Sequence, residues 1–78
     1  MFVEGYELDV FWPRERFAVE LDSYEFHRTR AAFERDRLRQ EDLKLAGIEM
    51  IRVTSRRIDL QPAELARRIG LLLEQRRQ

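Results

Sequence analysis

The sequence has no cysteine, a single histidine, a single lysine, two prolines and three glycines. Without cysteine, the chain can form neither a disulfide nor a thiolate zinc site. One histidine also excludes a histidine-rich metal site. No apolar run approaches the length of a membrane span, and no signal peptide is visible. These absences favour a cytoplasmic protein that has no membrane partner.

The length and the charge set further limits. A chain of 78 residues supports one domain with a small core. The formal net charge is zero, with 15 basic and 15 acidic residues, so the overall charge indicates neither a nucleic acid nor a membrane as partner. The arginines, however, are concentrated in 28–39, 52–57 and 67–77. Arginine presents a planar set of donors that suits phosphate, although most arginines on helices are simply solvated.

Two stretches near the start alternate between apolar and polar residues, which is typical of half-buried strands. They occupy 6–12 and 17–22, and the short segment between them suits a hairpin with its tip at 14–15. In that register Asp9 lies opposite Glu20, and Glu7 lies opposite Asp22. Because like charges that face each other destabilise a sheet, these carboxylates either stay solvated or hold a cation, and their oxygens suit a hard divalent metal.

The rest of the chain predicts a helix, a strand and a second helix. Thr29 can cap a helix over 29–46, in which Ala31, Leu38 and Leu45 repeat at helical spacing, and Gly47 is a natural stop. The largely apolar run 48–54 predicts an interior strand, reached by a crossover connection. The segment 55–61 is expected to be a loop, and Pro62 begins a helix over 62–76. The predicted order is β-β-α-β-α, an α/β fold in which helices pack on a small mixed sheet.

At this point the sequence resembles the very-short-patch-repair-like endonuclease domains of the restriction-endonuclease-like PD-(D/E)XK superfamily. The resemblance is carried by ELDVFWP at 7–13, AVELDSYEFH at 18–27 and RAAFERDR at 30–37, followed by the strand that contains Arg52. It covers about residues 5 to 73. The resemblance implies a minimal restriction-endonuclease-like core and a repair- or restriction-type endonuclease that hydrolyses phosphodiester bonds of DNA.

The resemblance also implies which residues form the site. Asp9 and Glu20 match the family's metal-binding acids, and Asp22 stands where the family often has a lysine. The implied cofactor is Mg²⁺, with Mn²⁺ as a substitute and no organic cofactor. Asp22 would then be a third metal ligand, and His27 would act beside these three acids in catalysis.

The same resemblance implies a nucleic-acid-binding set. With Asp22 in place of lysine, the task of stabilising charge on the phosphate passes to His27, Arg37 or Arg52. Arg56 and Arg57 are expected to contact the DNA backbone. Trp12 is expected to belong to the core rather than to form a base-stacking platform.

The chain departs from the family at its start. The family's domain normally begins with a helix carrying a glutamate and a further strand, for which residues 1–5 leave no room. The chain is therefore expected to form a single truncated domain with an exposed sheet edge, which a homodimer or a partner chain would cover. Three other interpretations stay open: a catalytically inactive nuclease-like module that binds DNA or a protein partner, a purely structural fragment that needs its missing strand from elsewhere, and a solvated acidic face without any cation.

Overall fold

The computed structural model describes residues 2–22 and 29–77, which form an α/β arrangement of five strands and three helices. A two-stranded sheet, β1-β2, precedes a three-stranded sheet with the order β3-β4-β5. The α/β class agrees with the sequence prediction, whereas two short strands at the start and one extra helix change the predicted order. The elements are β1 Phe2–Val3, β2 Tyr6–Glu7, β3 Val10–Trp12, β4 Phe17–Asp22, α1 Arg30–Leu45, β5 Glu49–Thr54, α2 Ser55–Leu60 and α3 Pro62–Arg76.

The antiparallel pair β3-β4 has the predicted hairpin register. Val10 pairs with Val19, and Trp12 pairs with Phe17. The four residues 13–16 form the turn, and Arg16 closes it with a φ of 54°. Alternation of side chains and a short connection were sufficient to fix this register, because a shift by one residue would turn the apolar set to the other face.

The predicted strand over 6–12 is interrupted, and this prediction was wrong in its first half. Glu4 and Gly5 both have positive φ, as the favoured two-residue hairpin turns require, so Tyr6–Glu7 pairs with Phe2–Val3 instead of extending β3. The expected pairing of Glu7 with Asp22 is therefore absent from the described ladders, since Glu7 pairs with Phe2. The interruption also reverses the alternation: Leu8 packs on the α1 side of the sheet, whereas Trp12 packs on the α3 side.

Helix α1 has the ends that the sequence predicts. The Thr29 hydroxyl accepts a hydrogen bond from the backbone N–H of Ala32 at 3.1 Å. At the other end Gly47 has a φ of 79°. The backbone N–H of Ile48 then reaches the carbonyl of Leu43 at 2.9 Å, which satisfies a carbonyl of the last turn and directs the chain into β5.

Strand β5 runs parallel to β4, as a crossover through α1 requires. Phe17 pairs with Glu49, Glu20 with Arg52, and Asp22 with Thr54. This strand was expected to lie in the interior of the sheet, and that prediction was wrong. Among residues 2–22 and 29–77, β5 lies at one end of the strand order. The apolar residues of β5 are covered by helices on both faces rather than by a further strand.

The segment expected to be a loop is the short helix α2. The Thr54 hydroxyl accepts a hydrogen bond from the backbone N–H of Arg57 at 3.1 Å, so the last residue of β5 is also the N-cap of α2. No residue separates the strand from the helix. The sequence therefore has no turn segment between them that would mark the boundary. Pro62 then begins α3 at its first position, as predicted.

Two apolar clusters lie on opposite faces of the three-stranded sheet. The face under α1 buries Leu8, Ala18, Leu43 and Ile48. The face under α3 buries Phe17, Val19, Val53, Leu65 and Leu73. Trp12 packs against the second cluster with its ring centroid 5.8 Å from that of Phe17, which confirms its place in the core.

The end of α3 is tied to the turn between β3 and β4. The Arg76 guanidinium donates to the Gly47 carbonyl at 2.6 Å and to the Glu15 carbonyl at 3.0 Å. Arg77 donates to the carboxylate of Glu15 at 2.9 Å, which pairs this buried acid. Among the described helices, none is long and apolar enough to cross a membrane.

Candidate functional site

A polar cleft of about 270 Å³ lies beside the carboxyl-terminal half of β4, between that strand, β5 and α1. Leu21 is also one of its lining residues. Among the described residues that line it, carboxylates outnumber guanidinium groups. The acids are Glu7, Asp9, Glu20, Asp22 and Asp36, and the bases are Arg39 and Arg52.

Asp9 and Glu20 are connected by two hydrogen bonds through the backbone. The N–H of Asp9 donates to Oε2 of Glu20 at 2.9 Å, and the N–H of Leu21 donates to Oδ2 of Asp9 at 2.9 Å. Because β3 begins only at Val10, the Asp9 side chain takes the place of a backbone partner for Leu21. The two carboxylates are therefore fixed on the same side of the sheet, at the position that the hairpin register predicts.

Glu20 is buried, with 6% of its surface exposed, and Arg39 of α1 supplies its counter-charge. The Arg39 guanidinium forms an ion pair with Oε1 of Glu20. It also donates to the carbonyl of Glu7 at 3.3 Å and lies 5.9 Å from the centre of the Tyr6 ring. A buried carboxylate needs such a partner, since a charge without one is strongly destabilising.

A second ion pair lies next to the first. Arg52 of β5, which neighbours Glu20 in the ladder, contacts Oδ1 of Asp36 on α1. The same Asp36 oxygen is 3.8 Å from Arg39. Asp36 therefore holds two guanidinium groups close together at the mouth of the cleft.

The pKa values of Arg39 and Tyr6 both depart from their ordinary values. Burial lowers the pKa of Arg39, and the positive charge of Arg52 lowers it further, against the opposing effects of Asp9 and Tyr6. The hydrogen bond that the Tyr6 hydroxyl donates to Asp42 at 2.7 Å raises the pKa of Tyr6. Arg39 still remains protonated at neutral pH, so its lowered pKa marks a guanidinium that is partly desolvated beside a like charge.

The structure gathers only part of the predicted site. Asp9, Glu20, Asp22 and Arg52 all line the cleft. His27 lies outside the described residues. The remaining predicted residues of the nucleic-acid-binding set are Arg37, Arg56 and Arg57, and none of them lines the cleft.

Those three arginines lie in different places. Arg37 points along α1, where it donates to Gln40 at 3.1 Å and covers the Phe33 ring at 4.7 Å. Arg56 and Arg57 belong to α2 rather than to a loop. Arg57 lines a groove with Ile51 and α3, on the face of the sheet opposite to the cleft.

Sequence reasoning missed Asp36 and Arg39, which complete the cleft. A signal was present, because Asp36, Arg39, Gln40 and Leu43 follow the spacing of one helix face. That face carries mostly polar residues, so a search for apolar repeats passes over it. Its buried member, Leu43, packs in the apolar cluster under α1.

The donors of the cleft fit a divalent metal held by two carboxylates. Among residues 2–22 and 29–77, no three histidine, cysteine or acidic side chains form a metal-ligating group. Mg²⁺, however, is commonly held by one or two carboxylates and keeps several waters. A carboxylate has about four lone-pair sites, so Asp9 and Glu20 can keep their backbone hydrogen bonds and still bind a cation. In metal sites, hydrogen bonds to the ligating side chains hold those side chains in the orientation that binds the metal, and the two backbone hydrogen bonds would do the same for Asp9 and Glu20.

The comparisons with known proteins give no match. The chain matches no protein-family model, no curated protein and no solved structure at a significant level. The resemblance drawn from its motifs therefore stays a prediction, and the function has to be argued from the cleft itself.

Proposed function

We propose that this chain is a metal-dependent endonuclease that hydrolyses phosphodiester bonds of DNA, built on a restriction-endonuclease-like core formed by β3, β4, α1 and β5. The observation that carries the proposal is the placement of Asp9 and Glu20. Glu20 on β4 and Asp9, the residue before β3, are fixed side by side in a polar cleft, and two arginines line the same cleft. Because carboxylates outnumber guanidinium groups among the described lining residues, we expect the cleft to bind a cation first and a phosphate only after the cation is bound.

Asp9 and Glu20 would hold Mg²⁺ or Mn²⁺, and Asp22 faces the same cleft as a further oxygen donor. The bound metal would lower the pKa of a water molecule and neutralise charge that develops on the phosphate. The backbone hydrogen bonds keep both acids in place, so little reorganisation is needed when substrate arrives. Arg52 lines the same cleft, and its guanidinium would contact a phosphate oxygen of the substrate.

The test is a calorimetric titration with Mn²⁺ combined with plasmid nicking on the same samples. Asp9→Ala and Glu20→Ala should abolish both binding and nicking, because each removes a metal-binding acid. Glu74→Ala is the matched control, since Glu74 is an exposed acid on α3. Wild-type protein that neither binds Mn²⁺ nor nicks the plasmid would contradict the proposal.

A second candidate function is a catalytically inactive nuclease-like module that binds DNA or a protein. The ion pair between Arg39 and Glu20 favours it, because Glu20 already has a counter-charge without a metal. DNA binding that is unchanged by EDTA, with no nicking at any metal concentration, would support this module over the enzyme.

The open edges of the sheet support the proposed partner chain. Within the described ranges, neither the outer edge of β3 nor that of β5 pairs with another strand. Unpaired edges invite pairing with another chain, and a homodimer or a separate protein would cover them. Sedimentation over a range of concentrations tests this part independently of nuclease activity.

A further inference from the structure

Among the described residues, the cation in contact with the buried acid of the cleft is Arg39, which comes from α1 rather than from the strands. Its ion pair with Glu20 uses Oε1, while Oε2 accepts the backbone N–H of Asp9. The side chain of Arg39 is 19% exposed and that of Glu20 is 8% exposed. The pair is therefore largely shielded from solvent, where charges interact more strongly than at the surface.

A divalent cation and Arg39 cannot both occupy Oε1 of Glu20 at contact distance, because two positive charges would then share one desolvated position. We propose that Arg39 competes with the metal for Glu20: it neutralises Glu20 while no metal is bound, and it moves to a phosphate oxygen of the substrate when the metal takes its place. This inference rests on the proposed function and deepens it by naming the group that controls metal entry.

Contacts around Arg39 give it a second position without a large movement. Oδ1 of Asp36 lies 3.8 Å from the guanidinium, and the Glu7 carbonyl lies 3.3 Å from it. These acceptors keep Arg39 at the cleft after it leaves Glu20. Asp36 also holds Arg52, so the displaced guanidinium would lie beside a second one. Two adjacent guanidinium groups present several donors to one phosphate.

The exchange also explains how the chain manages without a lysine beside its acids. Asp22 occupies that position on β4 and cannot stabilise negative charge on a phosphate. Arg39 reaches the same cleft from the helix above it.

The first experiment compares Mn²⁺ affinity in wild-type protein, Arg39→Gln and Arg37→Gln by calorimetry. Arg39→Gln should bind Mn²⁺ about tenfold more tightly, because the competing charged hydrogen bond is removed. Arg37→Gln should bind as wild type does, since Arg37 contacts Gln40 and Phe33 on the same helix but does not line the cleft. Equal affinities in all three proteins would overturn the inference, while the proposed function would stand.

The second experiment measures binding of a short DNA duplex by fluorescence anisotropy in Ca²⁺, which occupies oxygen sites. Arg39→Gln should bind the duplex about tenfold more weakly because it loses the phosphate contact. Arg39→Lys should keep part of the affinity, since it retains the charge and loses the fork. Undiminished DNA binding by Arg39→Gln would overturn the phosphate half of the inference.

A third measurement uses only wild-type protein and covers the case in which Arg39→Gln does not fold. In a nuclear magnetic resonance titration with Mg²⁺, the Nε–H signal of Arg39 should shift until the site is saturated. The corresponding signal of Arg67, an exposed arginine paired with Glu64, should not move. If the backbone signals of Asp9 and Glu20 shift while that of Arg39 does not, the inference fails and the proposed function survives. If Mg²⁺ shifts none of these signals, both fail.

Discussion

The two faces of the β3-β4-β5 sheet are made from alternate residues of the same strands, yet they are packed in different ways. Against α3 the sheet presents Phe17, Val19 and Val53 to the leucines of the helix. Against α1 only one end is apolar, where Leu43 and Ile48 pack, and the other end holds the ion pairs of the cleft. Buried ion pairs add little net stability compared with apolar packing. The difference indicates that the α3 face stabilises the fold and that the polar end of the α1 face serves another purpose.

Phe17→Ala tests the stabilising role of the α3 face and should have the largest effect. Phe17 is fully buried, so its removal should lower the free energy of unfolding by about 3–5 kcal/mol through lost burial and a residual cavity. In a chain of this size that loss removes much of the total stability. Urea denaturation followed by circular dichroism measures it. Phe33→Ala is the control, because Phe33 is 45% exposed and its loss should cost little.

Replacing both members of the ion pair tests the polar end of the α1 face. Arg39→Met alone leaves the buried Glu20 without its counter-charge. It should lower the free energy of unfolding by about 2–3 kcal/mol, less than the roughly 3–5 kcal/mol for a fully buried pair, because the Arg39 side chain is 19% exposed. Adding Glu20→Leu should restore the wild-type value or exceed it, because apolar groups then replace both charges. The same urea experiment measures all three proteins. A double variant that is no more stable than Arg39→Met alone would contradict this expectation, because removing the unpaired charge would then have recovered nothing.

The smallest expected effect concerns the surface of α3. Arg67 and Arg68 lower the pKa of Glu64 to about 2. Because the pKa is lower in the folded state, the stabilisation is present above pH 4.5 and is lost as the pH falls through about 2. Glu64→Gln should therefore lower the melting temperature slightly near neutral pH, and the difference should disappear toward pH 2. A difference that stays constant over this range would contradict the assignment, and Glu74→Gln serves as the surface control.

The sequence was sufficient for those parts of the fold that depend on local rules. Alternation set the register of β3 and β4, and Thr29, Gly47 and Pro62 marked helix ends through their capping preferences. Asp9 and Glu20 came together because that register was right. Glu4 was missed as a turn residue, since positive φ is uncommon for residues other than glycine.

The orientation of α1 could not be predicted in the same way. Leu38 and Leu45 repeat at helical spacing but are 56% and 87% exposed, whereas Leu43 is buried. The face that α1 turns to the sheet is set by Arg39 and Asp36, whose partners lie on strands distant in sequence. A repeat of apolar residues predicts which face of a helix is buried only if the buried face is itself apolar. The family resemblance indicated Arg37, whereas the structure places Arg39 in the cleft.

The central claim is that Asp9 and Glu20 hold a divalent cation, and crystals soaked in Mn²⁺ test it most directly through anomalous scattering. The proposal predicts an anomalous peak in contact with both carboxylates and an Arg39 side chain that no longer contacts Glu20. A Mn²⁺-saturated crystal with no peak in the cleft, and with the ion pair between Arg39 and Glu20 intact, would contradict it.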